Sequence, residues 1–220
     1  MQANTILIGD IHGCSRELRE LLHRLSPATN DRIVLMGDLV NKGPDPTGVL
    51  EIFESLECLC LRGNHECNHL DWQAGHASPK PDSILTRELV SEAIYERYLA
   101  EAARMPLYHE QPGFFAVHGA VVNGLPLSEQ PDKVLTGEIT LDPSWVDFVD
   151  LDRPLVVGHK RYSQDQGDPY IVEGKFYGID TGCVYGGCLT ALVLPTGRIV
   201  QVKASRDYSA DRESRLPVVA

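Results

Sequence analysis

Five times along this chain a short apolar run stops beside a glycine and a side chain of the kind that binds metals. The segments are GDIHG at 9–13, GDLVNKGP at 37–44, RGNHE at 62–66, VHGA at 117–120 and VGHK at 157–160. A run of three to five aliphatic or β-branched residues closed by glycine reads as a buried strand ending in a loop. A chain with this repeat is expected to be built on sheets, with its polar chemistry gathered at strand ends.

Between the runs the period changes. Thr5 to Ile8 reads as a strand, and Ser15 is a plausible N-cap for a helix with Leu18, Leu21, Leu22 and Leu25 on one face, closed by Pro27. Arg32 to Met36 is a second strand, Val49 to Leu56 a helix and Cys58 to Leu61 a third strand, which gives a βαβαβ start. Residues Ser83 to Ala103 carry Leu85, Leu89, Ile94 and Tyr98 at helical spacing and form the longest expected helix. Beyond Pro106 come short strand candidates at 114–117, 155–157, 170–172, 175–179, 189–194 and 199–202. Strands alternating with helices and then following one another predict an α/β fold of two mixed β-sheets packed as a sandwich flanked by helices. A single domain is expected over residues 1–203, with a loosely held polar tail at 204–220.

At 220 residues the chain can bury a substantial core. Its net charge of −11 argues against stable nucleic-acid binding, which needs clustered lysine and arginine. Bound metal ions can supply positive charge locally for an anionic substrate. No apolar stretch is long enough to cross a bilayer and the first strand begins without a leader, so a soluble cytoplasmic protein with no membrane partner is expected. Six cysteines, none in a C-x-x-C pattern, are expected to be reduced thiols.

Asp10 and His12 lie two apart at a strand end, so an extended backbone would turn both to one side. Asp38 ends the second strand and can bridge two ions through its two oxygens. Asn64 reads as a neutral oxygen ligand, and His65 as an acid for the leaving oxygen, with a pKa able to lie near working pH. His118 and His159 complete the ligands. Singly, each has an ordinary explanation as a turn residue, a cap or a buried histidine. Their joint occurrence at strand ends points instead to two adjacent metal ions, an arrangement that both generates hydroxide and neutralises a phosphoryl group.

Taken together the segments resemble the motif set of the phosphoprotein phosphatase superfamily of calcineurin-like metallophosphoesterases. The resemblance spans residues 7 to about 194. It implies two divalent ions, manganese first with iron or zinc as alternatives, roughly 3.5–4 Å apart. Asp10, His12 and Asp38 would hold one, and Asp38, Asn64, His118 and His159 the other. A hydroxide bridging the metals would attack phosphorus in line, without a phosphoenzyme. Arg62 matches a family arginine that clamps phosphate oxygens. Where the protein phosphatases read Asp-Arg-Gly, this chain has Asn41-Lys42-Gly43, which keeps a point charge but loses the guanidinium fork and the carboxylate that orients the acid histidine. Arg161 would add charge near His159.

GIDTGCVYGG at 178–187, with Asn41-Lys42, shifts the resemblance toward the bacterial symmetrical bis(5'-nucleosyl)-tetraphosphatases and related phosphatases, with Asp180 either an outer carboxylate steering a ligand histidine or, equally, a turn residue. The expected activity is hydrolysis of phosphate esters or anhydrides, on dinucleoside polyphosphates or a broad set of phosphomonoesters. A protein serine/threonine phosphatase acting on phosphoproteins is the close rival, and a non-catalytic metal-binding scaffold the more distant one. Cys14, Cys67 and Cys183 adjoin the motifs, as oxidation-sensitive thiols of the cleft or as small buried residues. His23, His69, His76 and His109 match no motif and are read as surface or packing residues.

Overall fold

Strand β1 (Thr5–Ile8), helix α1 (Ser15–Leu25), β2 (Arg32–Leu35), α2 (Pro46–Ser55) and β3 (Cys58–Cys60) form the expected βαβαβ start. The computed structural model describes residues 3–148 and 151–211. Helices α3 (Asn64–Gln73), α4 (Pro81–Leu89) and α5 (Glu92–Ala102) follow, then β4 (Tyr108–Gln111), β5 (Phe114–Val117) and the short α6 (Asp132–Leu135). Strands β6 (Leu155–Val157), β7 (Tyr170–Val172), β8 (Phe176–Gly178), β9 (Cys188–Leu194) and β10 (Arg198–Lys203) complete the order.

The strands form two five-stranded sheets, ordered β10-β9-β1-β2-β3 and β4-β5-β6-β8-β7. β1, β2 and β3 are mutually parallel, as are β5, β6 and β8, and antiparallel strands complete each sheet. The expected class, two mixed sheets flanked by helices, is what the chain adopts.

Period-two alternation explains the continuous apolar runs, because both faces of each sheet are covered. In β1, Ile6 and Ile8 pack with Leu18 and Leu21 of α1, while Leu7 packs with Phe114, Ala116 and Val156 of the other sheet. In β5, Phe115 and Val117 turn outward to a third cluster with Val134 and Trp145. Leu7 is fully buried between the sheets, where truncation to alanine would cost about 2–5 kcal/mol.

Three expectations need correction. The long helix is two helices, broken where Val90 and Ser91 are extended (φ −100°, ψ 133° and φ −60°, ψ 149°). Val90 is buried in the core at the break, which turns α5 so that Tyr95 and Tyr98 face α3. Ser15 is the first residue of α1 rather than its cap, which is Cys14. Its hydroxyl donates instead to Asp45, the residue that caps α2 by accepting from the Gly48 N–H. The tail is not loose throughout: Tyr208 is buried and its hydroxyl donates to Glu17 Oε1 at 2.7 Å. Residues 212–220 lie outside the described residues. Among those described, no helix is long and apolar enough to cross a membrane.

The parallel strands carry the chemistry. Asp10, Asp38 and Asn64 follow β1, β2 and β3, while His118, His159 and Asp180 follow β5, β6 and β8. Both sheets therefore deliver their functional side chains at the carboxyl ends of strands, the usual place for sites in α/β folds.

Candidate metal centre

Six non-glycine residues have positive φ among those described, and five of them are site candidates: His12 (46°), Asp38 (52°), Asn41 (72°), Lys42 (63°) and His159 (62°). Such backbone costs of order 1–3 kcal/mol per residue and persists only where its surroundings enforce it. Here the loops enforce one another, since the Asp38 carbonyl accepts from the N–H groups of Ile11 at 3.2 Å and His12 at 2.8 Å. Glycine allows the close packing at Gly63, where a Cβ would collide with Asp38 Oδ1 and meet His118 Cε1 at 2.9 Å.

Asp38 stands at the centre. Its Oδ2 lies 3.5 Å from His12 Nε2 and 3.9 Å from His65 Nε2, while its Oδ1 lies 3.4 Å from His118 Nε2. Asn64 Oδ1 is 3.3 Å from His118 Nε2 and 3.0 Å from His159 Nδ1. Asp10 Oδ2 is 4.0 Å from His12 Nε2, and both Asp10 oxygens accept from the His159 backbone N–H. All six expected ligands thus come to one cluster. Two triads of this cluster have ligand atoms all within 4.8 Å of one another: Asp38, His118 and His159, and His12, Asp38 and His65.

Hydrogen bonds on the far sides of the rings decide which atoms face inward. His118 Nδ1 donates to the Met36 carbonyl at 2.7 Å and His12 Nδ1 to the Val40 carbonyl at 3.2 Å. Each ring therefore turns an Nε2 lone pair into the cluster, as metal-binding histidines do. For His118 this leaves an imidazole lone pair facing the oxygens of Asp38 and Asn64, acceptor against acceptor. A cation is the group that satisfies such a constellation, and the mixed carboxylate, amide and imidazole set fits a divalent metal ion.

Electrostatics agree. Burial raises the Asp10 pKa well above the usual carboxylate range, helped by Asp180 and Asp38. Burial alone would also raise Asp38, but His118, His65, His12 and Lys42 outweigh it and hold the group well below that range. Burial, with Lys42, lowers His12 to about 3, and burial, with His118, lowers His159 to about 4. These imidazoles are neutral near neutral pH, the form that binds metal.

His65 differs from expectation. Burial outweighs the opposing charge of Asp38 and, with His12 and Lys42, pushes it well below the usual histidine range, which favours the neutral imidazole. With Asn64 it also opens helix α3 instead of lying in a strand-end loop. Its Nδ1 faces Asn41 Nδ2 at 2.7 Å. Lys42 reaches the cluster, with Nζ 3.0 Å from His12 Nε2 and 5.6 Å from the Tyr185 ring centroid. Burial works against its ammonium, but Asp38, Tyr185 and Asp10 outweigh this and raise its pKa. Arg161 lies over the same ring at 5.0 Å, so the two cations flank Tyr185.

Arg62 and Asp180 make their hydrogen bonds to backbone. The Arg62 guanidinium donates to the carbonyls of Ala102 at 3.1 Å and Ala103 at 2.7 Å, at the end of α5. Through Nε and Nη2 it ties the end of β3 to that helix. Asp180 accepts from the Gly182 N–H at 3.0 Å, in keeping with the turn role, and among the described residues no hydrogen bond joins it to a ligand histidine.

Sequence reasoning missed Glu66, which is fully buried. Its Oε2 accepts from the N–H groups of Asp38 and Gly63, and its Oε1 from that of Leu39. Its place in the RGNHE segment was the available signal. His69, read as a packing residue, is fully buried and bonded to Asn41 and Tyr95; nothing local in the sequence marks it. The thiols of Cys14, Cys67 and Cys183 are buried as small packing residues. Burial raises the Cys67 pKa; contact with Cys14 and burial raise that of Cys183.

Two facing mixed sheets with converging carboxylate, amide and imidazole groups at their strand ends define a metal-dependent phosphoesterase. Residues 3–190 match the family model for calcineurin-like phosphoesterases, and the chain belongs to that family. It is a hydrolase acting on phosphate esters or anhydrides. The chain is 30% identical, over 94% of both chains, to the asymmetrical bis(5'-nucleosyl)-tetraphosphatase PrpE of Oceanobacillus iheyensis. It is also 30% identical to the symmetrical bis(5'-nucleosyl)-tetraphosphatase of Aromatoleum aromaticum, over 60% of this chain and 49% of that protein. A crystal structure assigned provisionally as a diadenosine tetraphosphatase aligns over 92% of this chain and 94% of its own, with a TM-score of 0.74 and 26% identity.

Proposed function

We propose that the protein hydrolyses dinucleoside polyphosphates or phosphomonoesters in the cytoplasm, using two divalent cations, manganese first, held by Asp10, His12, Asp38, Asn64, His118 and His159. The observation that carries this reading is the two-sided Asp38 carboxylate, with Oδ2 toward His12 and Oδ1 toward His118. Cations bound on those two sides would supply a hydroxide nucleophile and neutralise phosphate charge. Lys42 and Arg161 flank Tyr185 beside the cluster and attract the phosphate chain as point charge and guanidinium. His65, the donor to the leaving oxygen, presents Nε2 on the Asp38 Oδ2 side. Full-length similarity to a tetraphosphatase supports the substrate class.

The test compares diadenosine tetraphosphate, p-nitrophenyl phosphate and a phosphoserine peptide, each with added manganese and after chelation. Chelation should abolish turnover, manganese should restore it, and the tetraphosphate should have the highest kcat/KM. Preference for the phosphopeptide would make the protein a serine/threonine phosphatase, and metal binding without turnover a scaffold. Asp38→Ala should lower the bound metal from two ions; two ions in the variant would sink the bridging role.

A further inference from the structure

Beneath His65 lies a buried, branched network of hydrogen bonds centred on Asn41. Asn41 Oδ1 is 2.7 Å from Thr86 Oγ1 and 2.9 Å from His69 Nε2. Asn41 Nδ2 is 2.7 Å from His65 Nδ1, and His69 Nδ1 is 2.8 Å from the Tyr95 hydroxyl. Asn41, His69, Thr86 and Tyr95 are each at most 3% exposed, so bulk water does not stand in for a missing partner.

We propose that His69 and Thr86 are positioning residues that together hold the Asn41 amide in one orientation and thereby fix His65 as its Nε2–H tautomer. An amide oxygen only accepts and an amide nitrogen only donates. The Thr86 hydroxyl and His69 Nε2–H both donate to Oδ1, with the Tyr95 hydroxyl donating to His69 Nδ1 from behind. The Asn41 NH2 is then turned to His65 and donates to Nδ1. That nitrogen must keep its lone pair, so the ring proton sits on Nε2, which lies 3.9 Å from Asp38 Oδ2 on the side of the metal cluster.

The opposite arrangement would require a flipped amide and exchanged tautomers in both His69 and His65. It would also turn an imidazole lone pair, instead of an N–H, toward anionic oxygen. In a buried chain each mismatched donor or acceptor is left unsatisfied, which opposes a partial reversal. An aspartate at position 41 would invert the logic, because a carboxylate accepts from Nδ1–H. Asn41 with His69 and Thr86 is therefore a different device from a weakened Asp–His pair.

This proposal rests on the reading of His65 as a donor, but its primary test does not use activity. Two-bond proton–nitrogen NMR correlations of histidine-labelled, metal-free protein report the tautomer of each ring, and loss of one signal set in His65→Asn assigns His65. The wild-type protein should show His65 protonated at Nε2 and bare at Nδ1; a proton on Nδ1 overturns the proposal. Thr86→Val is close to isosteric, and with His69→Leu it removes both donors to Oδ1. The double variant should show mixed His65 tautomers, with kcat reduced roughly 10–100-fold, the range seen when outer-shell partners are lost, and KM unchanged. His69→Gln keeps an N–H donor and should restore most of kcat relative to His69→Leu. A folded double variant with the wild-type tautomer and kcat would also overturn the proposal. An Nε2–H His65 in a protein that turns over no phosphate compound would leave the relay standing and remove the proposed function instead.

Discussion

Glu66 holds Asp38 by its backbone: Oε2 accepts the Asp38 N–H at 2.8 Å. The same oxygen accepts the Gly63 N–H at 2.9 Å, and Oε1 accepts that of Leu39 at 3.0 Å. One buried carboxylate thus fixes a left-handed Asp38 and the loop that carries Asn64.

Replacing Glu66 by glutamine puts an amide NH2 against backbone N–H donors. Glu66→Gln should lower stability by about 1–3 kcal/mol, the usual cost of an unsatisfied buried partner. It should also weaken metal binding roughly 10–100-fold. Urea denaturation and metal titration read both, and an unchanged metal affinity would show that Asp38 holds its place without this brace.

For Arg62 the geometry predicts a structural effect. Arg62→Met should destabilise by about 1 kcal/mol, as expected for two hydrogen bonds to carbonyls from a partly exposed cation. The KM for phosphate substrates should stay near wild type. A raised KM at unchanged stability would return Arg62 to the phosphate site.

Acid sensitivity follows from His69, which burial lowers to about 4 against roughly 6.5 when unfolded. The unfolded chain therefore binds the proton first. The stabilising contribution is fully present above pH about 6.5 and is lost as pH falls through about 4. His12, His65 and His159 act in the same direction in metal-free protein, while the raised Asp10, Glu66 and Asp180 act oppositely. Denaturation midpoints of the metal-free protein should fall between pH 7 and 5, and less so for His69→Gln. Equal falls in both proteins would place the sensitivity elsewhere.

The cleft-side thiols should be inert. With Cys67 and Cys183 raised by burial and contact and Cys14 buried, peroxide should leave turnover unchanged. Iodoacetamide should reach the half-buried Cys58 and Cys188 first. Rapid alkylation of Cys14 or Cys183 in the native protein would contradict this.

Much of this arrangement could be read without coordinates. The continuous apolar runs around Leu7 and Phe115 mark buried strands, and the strand-end segments name all six residues that converge on the cluster. The helical periodicity over Ser83 to Ala103 continues across Val90 and hides the break, which lies where Val90 is extended and buried in the core. For Arg62, a motif gives the residue's position but not the carbonyls its guanidinium finds at the end of α5.

The sequence by itself determined the sheet-built class and the set of donors, since apolar period and glycine stops are local properties of the chain. Tertiary structure alone decided which atom of each donor faces the cluster. It also decided that Glu66, His69 and Thr86 support it from behind. Those choices depend on hydrogen bonds across long separations, as from His118 to Met36, 82 residues apart. Such bonds form only once the two sheets are packed face to face.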